Sequence, residues 1–384
     1  MACISPGIPG RRTPRVKAPW RVAMRALAMA LALAIGAAAQ ENASPGALDL
    51  DAPEALATVI GQLNTKRVVF VGETHDRYDH HLNQLEIIRR LHQLDPKLAI
   101  GVEYFEQRFQ SKVDDYIAGQ ISENEFLRTT EYFKEWGYDY RLYAPIFRFA
   151  REQRIPVRAL NIPTTLASTV AKEGIAALSP EQRVALPKVI APADEAYRTR
   201  LREAFESHET KKPGAFEHFV DAQLAWDESM AASAAEYLNA NPERRMVILA
   251  GAGHVAFGSG IPSRLERRTH STYAIVLSSG QEIEPHIANF ILLGPRQKLP
   301  PAGVLGAGLK DEQGECRIGS LVAGGAAQQA GLKNGDVLVE VAGQAIKTAA
   351  DVRLALWDKN PGDRIKVRAR RGRDIRDLDI ELKR

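Results

Sequence analysis

The chain has 384 residues, 45% hydrophobic and 26% charged, with a formal net charge of +4. This is the composition of globular protein rather than of disordered or fibrous material, and the length predicts two domains. The charge is uneven: Arg11, Arg12, Arg15, Lys17, Arg21 and Arg25 precede residue 40 with no acidic residue among them, so without that segment the net charge is −2 and the charge support for nucleic-acid binding disappears.

The basic stretch leads into an apolar run from Ala26 to Ile35 and then small residues ending Ala37-Ala38-Ala39. That order predicts a secretory signal peptide over residues 1–39, cleaved near Ala39, and hence a periplasmic or secreted protein. Met24 opens a compact version of the same signal. The apolar run is too short to span a bilayer, and no later stretch has the length of a transmembrane helix. Cys3 leaves with the signal, so only Cys316 remains and no internal disulfide is expected. Neither cysteine stands at the cleavage point, so a lipid anchor is not expected either.

From residue 66 onward, short β-rich apolar runs alternate with longer helical stretches, which predicts an α/β domain over 50–290 with a mainly parallel sheet flanked by helices. The expected strands are Arg67 to Val71, Leu98 to Val102, Pro156 to Leu160, Met246 to Ala250 and Thr272 to Leu277. Leu82 to Leu94, Phe105 to Ile117 and Tyr143 to Gln153 carry helical periodicity. Leu166 to Tyr237 is mostly helical and broken by Pro180, Pro187, Pro192 and Pro213, as a helical insertion would be. Its last helix sets Phe219, Gln223, Trp226, Met230 and Tyr237 on one face. Phe219, Trp226 and Met230 read as core; Gln223 is the polar exception, with Asp227 one turn beyond it. A linker is expected over 291–299, where the Pro- and Gly-rich stretch from Gly294 to Gly303 begins, followed by a small β-rich domain over 300–384. In that domain Val337 to Val341 reads as a strand, Ala349 to Asp358 as a helix, and two alternating runs meet at Gly372.

In a parallel α/β sheet, ligands bind beyond the carboxyl ends of the strands, where loops converge. The first strand ends in Gly72-Glu73-Thr74-His75, the second in Glu103-Tyr104, the third in Asn161 and the fourth in Gly251-Ala252-Gly253-His254. Glycine there permits a sharp turn or a close ligand, and imidazole serves as metal ligand, acid/base or donor. Glu73, His75, Glu103 and His254 together suit a divalent transition ion with open positions, or a pair of bases activating water. One histidine after a strand is ordinarily a loop residue bonded to backbone; four such groups on one edge point to a site. Asp76, Asp79, His80 and His81 read either as an extension of it or as a surface cluster at a helix start. Tyr78 and Tyr104 are candidate phenolate ligands for haem iron, with packing as the plainer role of each. No Gly-x-Ser-x-Gly elbow, P-loop, complete dinucleotide fingerprint or Cys-x-x-Cys-His occurs, so those chemistries have no motif support.

The runs VGETHDRYDHHLNQLEII (Val71 to Ile88), GVEYFE (Gly101 to Glu106), LNIP (Leu160 to Pro163) and AGAGHVAFGSGIP (Ala250 to Pro262) resemble, in that order, the ChaN-like family of haem-binding proteins. That family belongs to the Tiki, TraB and erythromycin-esterase-like superfamily, whose paired Gly-x-x-His motifs and glutamates map onto Glu73, His75, Glu103 and His254. The resemblance implies haem as cofactor, held through Tyr78, Tyr104, His75 or His254, and a role in haem or iron handling. Through the Tiki-like and esterase-like relatives it equally implies a metal-dependent hydrolase, protease or esterase, with Glu73, His75, Glu103 and His254 as its catalytic and metal-binding set. A homodimer is compatible with either reading. Well-known ChaN-like proteins are lipoproteins, and this chain lacks the cysteine for that anchor.

The C-terminal part resembles a PDZ domain, with AGVLGAGL (Ala302 to Leu309) as its carboxylate-binding loop and QQAGLKNGDVLVEVAGQAI (Gln328 to Ile346) as its most specific stretch. The resemblance implies a peptide or protein C-terminus as partner, held at Gly303, Val304, Leu305 and Gly306 through backbone N–H groups and strand addition. Ala302 and Gly303 stand where the family carries bulkier residues, which leaves the peptide preference open.

Overall fold

The structure is a computed structural model that describes residues 53–206, 214–280 and 282–384. The expected signal peptide lies outside the described residues.

The first domain runs α1 (Leu56–Leu63), β1 (Val68–Glu73), α2 (Tyr78–Leu94), β2 (Leu98–Glu106), α3 (Gln110–Ile117), α4 (Glu123–Thr129), α5 (Tyr132–Glu135), α6 (Ala144–Glu152) and β3 (Val157–Asn161). It continues through α7 (Thr164–Glu173), α8 (Pro180–Val184), α9 (Glu195–Glu206), α10 (Ala215–Ala240), β4 (Arg245–Gly251), α11 (Ala252–Val255), α12 (Ile261–Thr269), β5 (Tyr273–Ser278) and β6 (Phe290–Leu292). The strands form one six-stranded sheet in the order β3-β2-β4-β1-β5-β6, every pairing parallel.

Because side chains alternate across a strand, each strand supplies two cores. Val69 and Val71 of β1 join the layer with α2 and α6, while Val68 and Phe70 join the layer with α7, α10 and α12. The chain steps from β1 to β2 to β3 in one direction and returns through β4, β5 and β6 in the other. Right-handed crossovers in opposite directions put their helices on opposite faces, which accounts for the three layers.

Three expectations need correction. The stretch beginning at Phe105 is not yet helical: Tyr104, Phe105 and Glu106 are buried and extend β2, and a 3-10 turn over Gln107–Phe109 leads into α-helix only at Gln110. Helix α2 starts at Tyr78, ahead of the expected Leu82, and His80 and His81, expected on its first part, are buried rather than on the surface. The expected linker 291–299 begins too early, because Phe290–Leu292 pairs with β5 and extends the sheet.

The C-terminal module comprises β7 (Ala307–Glu312), β8 (Glu315–Leu321), α13 (Ala326–Gln329), β9 (Val337–Val341), β10 (Gln344–Ala345), α14 (Ala349–Leu356), β11 (Arg364–Arg371) and β12 (Asp374–Glu381). Its antiparallel sheet has the order β12-β11-β9-β8-β7, with β10 on β9, and its core includes Cys316, Ile318, Leu338, Val367 and Ile380. Burial pushes the Cys316 thiol up to about 12. The two parts meet at α14. Leu354 and Trp357 belong to the core of the α/β domain. Trp357 Nε1 donates to Asn124 Oδ1 at 2.6 Å, and its ring meets Tyr140 edge-on at 5.2 Å. Among the described residues no helix is long and apolar enough to cross a membrane.

Candidate functional site

The register of the sheet builds the site. Glu73 at the end of β1 lies opposite Gly251 at the end of β4, and β2 flanks β4 on its other side, carrying Glu103. The two glycines that open the Gly-x-x-His runs have different reasons to be glycine, and neither has a positive φ. A Cβ on Gly72 would lie 2.5 Å from a Leu277 methyl and 2.7 Å from Val255, so Gly72 lets β1 pack closely on its neighbours. A Cβ on Gly251 would lie 3.0 Å from His75 Cε1, 3.3 Å from Nε2 and 3.7 Å from Glu103 Oε2, so Gly251 keeps the space beside that imidazole open.

His75 Nδ1 sits 2.5 Å from Glu73 Oε1. Burial raises the Glu73 carboxyl, but His75 and then His81 and His80 more than offset this and hold it below its ordinary value. The segment between them is tied from beneath by α2. The Thr74 amide donates to His80 Nδ1 at 3.0 Å, which leaves the ring proton on Nε2, 3.1 Å from the Ser279 carbonyl. Burial lowers the His80 pKa, in keeping with that neutral ring. His81 Nε2 lies 3.1 Å from the His75 carbonyl and Nδ1 2.9 Å from Gln84 Oε1, whose own amide donates to the Val71 carbonyl at 3.0 Å. Tyr143 Oη also donates to the His75 carbonyl at 3.2 Å. His80 and His81 are therefore backbone clips, neither a surface cluster nor part of a metal set.

The opposite wall is a second carboxylate–imidazole pair. His254, on the short helix α11, is 3% exposed, with Nδ1 2.8 Å from Asp227 Oδ1. Asp227, fully buried on α10, also accepts from Tyr197 Oη at 2.6 Å. The other imidazole nitrogen, Nε2, lies 3.5 Å from Glu103 Oε1, while Glu103 Oε2 accepts from the Gly251 amide at 2.7 Å. Asn161 at the end of β3 supports this wall by donating to the Glu103 carbonyl at 3.0 Å. Glu73, His75, Glu103 and His254 thus converge on one edge of the sheet as two carboxylate-held imidazoles with Glu103 between them.

Among the described residues, no three His, Cys, Asp or Glu side chains are arranged to hold a metal ion. The four residues expected as a divalent-ion set have other partners here: Glu73 is turned onto His75, Glu103 onto the Gly251 amide, and His254 onto Asp227. Tyr104 departs from the expected ligand role as well. It is 3% exposed in the core, donates to Gln84 Oε1 at 3.3 Å, and burial holds its phenol far above the usual range, against a phenolate. Tyr78 is half-buried at the start of α2 and packs on the same core. What lies against His75 instead is Trp136, edge-on at 4.9 Å, and Tyr138 at 5.0 Å, both half-buried.

Sequence reasoning missed Trp136, Tyr138, Tyr143 and Tyr197, because no spacing links them to the strand ends. Asp227 carried a signal, an acid one turn from Gln223 on an otherwise apolar helix face, that its pairing with His254 now explains.

In the C-terminal module, the amides of Gly303 and Val304 donate inward, to the Lys359 and Lys383 carbonyls at 2.9 and 2.8 Å. Leu305 is buried in the core, and its carbonyl accepts from Ala327 at 2.7 Å. Gly306 takes a φ of +69°, the left-handed turn that leads into β7. Of the four residues expected to contact a peptide, Gly303 and Val304 therefore anchor the loop, and Leu305 with Gly306 leads from it into β7. β7 is the terminal strand of its sheet.

Comparison with known proteins bears on both parts. Residues 59–265 match the model of a family described as haem-binding uptake, Tiki superfamily, ChaN, and residues 303–382 match a PDZ domain. Among solved structures, ChaN of Campylobacter jejuni with cofacial haem is 17% identical with a TM-score of 0.51, covering 62% of this chain and 91% of that one. An erythromycin esterase mutant in an open conformation is 15% identical with a TM-score of 0.37, covering 58% of this chain and 72% of that one. Among curated proteins, Protein RETICULATA-RELATED 5 of Arabidopsis thaliana chloroplasts is 23% identical over 227 residues, 54% of this chain but 30% of that protein, so the chain spans under a third of that relative's length. With the family model spanning more than half of its residues and the parallel sheet that the Campylobacter structure shares, the chain belongs to the haem-binding uptake, or ChaN, family of the Tiki superfamily, and carries a PDZ domain after it.

Proposed function

We propose that this is an exported haem- or iron-handling protein in which haem docks at the strand-end site and the PDZ domain brings a partner chain. The observation that carries the reading is the Glu73–His75 pair beside the half-buried rings of Trp136 and Tyr138. The residues present fit haem on this wall: the Glu73 carboxylate orients the His75 imidazole through Nδ1, the absence of a Cβ on Gly251 leaves room beside the ring, and Trp136 and Tyr138 offer apolar surface to a porphyrin. The buried Tyr104 and His254 do not fit as ligands. When bound, haem supplies the redox-active iron; the chain orients His75 and limits water through its aromatic rim. Export rests on the N-terminal signal pattern.

Titration of purified protein with hemin is expected to give a saturable Soret shift that Tyr104→Phe retains and His75→Ala loses. An unsaturable shift, or one unchanged in His75→Ala, overturns the reading. A second reading, hydrolysis of an ester or peptide, is favoured by one observation, the Asp227–His254 pair facing Glu103. Asp227 would hold His254 as a general base, and p-nitrophenyl ester turnover that persists in chelator but falls in His254→Ala would favour it.

A further inference from the structure

Helix α14 has three faces, and two of them are already filled. Val352 and Ala355 point into the core of the PDZ domain. Leu354 and Trp357 point into the core of the α/β domain, with Ala350 packed beside them. Between these lies a third row at i, i+4 and i+7: Ala349, Arg353 and Leu356. Ala349 and Leu356 are half-buried and Arg353 is exposed. The Ala349 amide donates to Asp311 Oδ1 at 2.8 Å, which places this row beside β7. The outer edge of β7 and this row of α14 therefore form the two walls of one groove, with the Leu305–Gly306 turn at one end and the Asp311–Ala349 bond across the other.

The groove's charge is unbalanced. Arg317, Arg364, Arg368, Arg370 and Arg371 of the same domain each meet a carboxylate. Arg353 forms no ion pair among the described residues, although it stands midway along the groove. A chain added to β7 and ending at the Gly306 turn passes Arg353 before it reaches Asp311. At about 3.3 Å per residue, the stretch between those two ends holds roughly four residues.

We infer that this groove selects a C-terminal peptide with an apolar last residue and an acidic side chain among the three residues before it, and that Arg353 is the residue that selects it. The inference rests on the reading of the PDZ domain as a peptide-binding module and deepens it. Leu356 and Leu305 give the last side chain an apolar seat. Arg353 offers a carboxylate a forked donor at the groove's middle. Asp311 repels an acid farther upstream, so the preference is confined to the end of the peptide. An extended edge supplies backbone hydrogen bonds to any sequence, so discrimination has to come from such side chains.

The test uses the full chain and fluorescein-labelled heptapeptides ending in valine, with Glu, Gln or Lys one, two or three residues before it, read by fluorescence polarisation. At one of these positions the Glu peptide is expected to bind about threefold to fivefold tighter than the Gln peptide, the range of a partly exposed charge pair. Arg353→Gln is expected to erase that difference while keeping the affinity for the Gln peptide. Arg353→Glu is expected to turn the preference toward Lys. If the peptides bind but neither substitution changes the ranking, the role of Arg353 is overturned and peptide binding stands. If no peptide binds, or C-terminally amidated peptides bind equally well, the peptide-binding reading falls and this inference falls with it.

Discussion

Asp227 is the residue on which the second wall depends, and its removal has a calculable consequence. Its carboxylate is fully buried and is the shared acceptor of His254 Nδ1 at 2.8 Å and Tyr197 Oη at 2.6 Å. Asp227→Ala strands a ring N–H and a phenol O–H in a dry interior. Each such loss costs about 1–3 kcal/mol, and breaking a buried charged contact costs about 3–5 kcal/mol in all. At roughly 2–4 °C per kcal/mol for a domain of this size, the melting temperature should fall by about 10 °C. Asp227→Asn keeps the volume but offers one oxygen where two accepted, so it should cost about 1–3 kcal/mol and move the His254 proton from Nδ1 to Nε2. Calorimetry measures the first effect and nitrogen-15 NMR of the imidazoles the second. An Asp227→Ala protein within about 0.5 kcal/mol of the parent, the range of a neutral surface change, would refute the reasoning. So would an Asn variant whose His254 still carries its proton on Nδ1.

Three further outcomes follow from the same geometry. Gly251→Ala introduces a Cβ 3.0 Å from His75 Cε1; the imidazole must shift, so hemin affinity should fall about tenfold while stability changes by about 1 kcal/mol or less, and equal hemin affinity in a titration would contradict it. Trp357→Ala removes the indole that links α14 to Asn124 and Tyr140; calorimetry should then resolve separate transitions for the two domains, whereas one unshifted transition would mean that Trp357 does not couple them. On acidification, Glu73 and His80 act in the same direction, because each has a folded pKa below its ordinary value of 4.5 or 6.5. Their contribution is fully present above those values and lost as the pH falls through the folded ones, so urea stability should be level above about pH 7 and decline from about pH 6.5 downward. A level profile down to about pH 4 is the contrary result.

Much of the fold is legible in the sequence because its signals are local. The short runs at Val68–Val71 and Met246–Ala250, rich in β-branched residues and each closed by a glycine, read as strands of a parallel sheet, whose polar ends then share one edge of it. The extension of β2 through Glu106 was hidden, because a buried apolar run reads equally well as helix or strand until its neighbours are known.

The strand-end motifs fixed which residues would share the site: Glu73, His75, Glu103 and His254 were marked by their positions after apolar runs, and the PDZ loop by its glycines. What they do there was decided by tertiary partners far away in the chain. Asp227 comes to His254 from α10, Trp136 and Tyr138 come to His75 from a loop between helices, and Gln84 turns Tyr104 inward. A motif records the type of a side chain, but the choice among metal ligand, held base and core residue is made by whichever donor or acceptor packs within about 3 Å of it. Those partners are set by sheet order and helix layering rather than by spacing along the sequence.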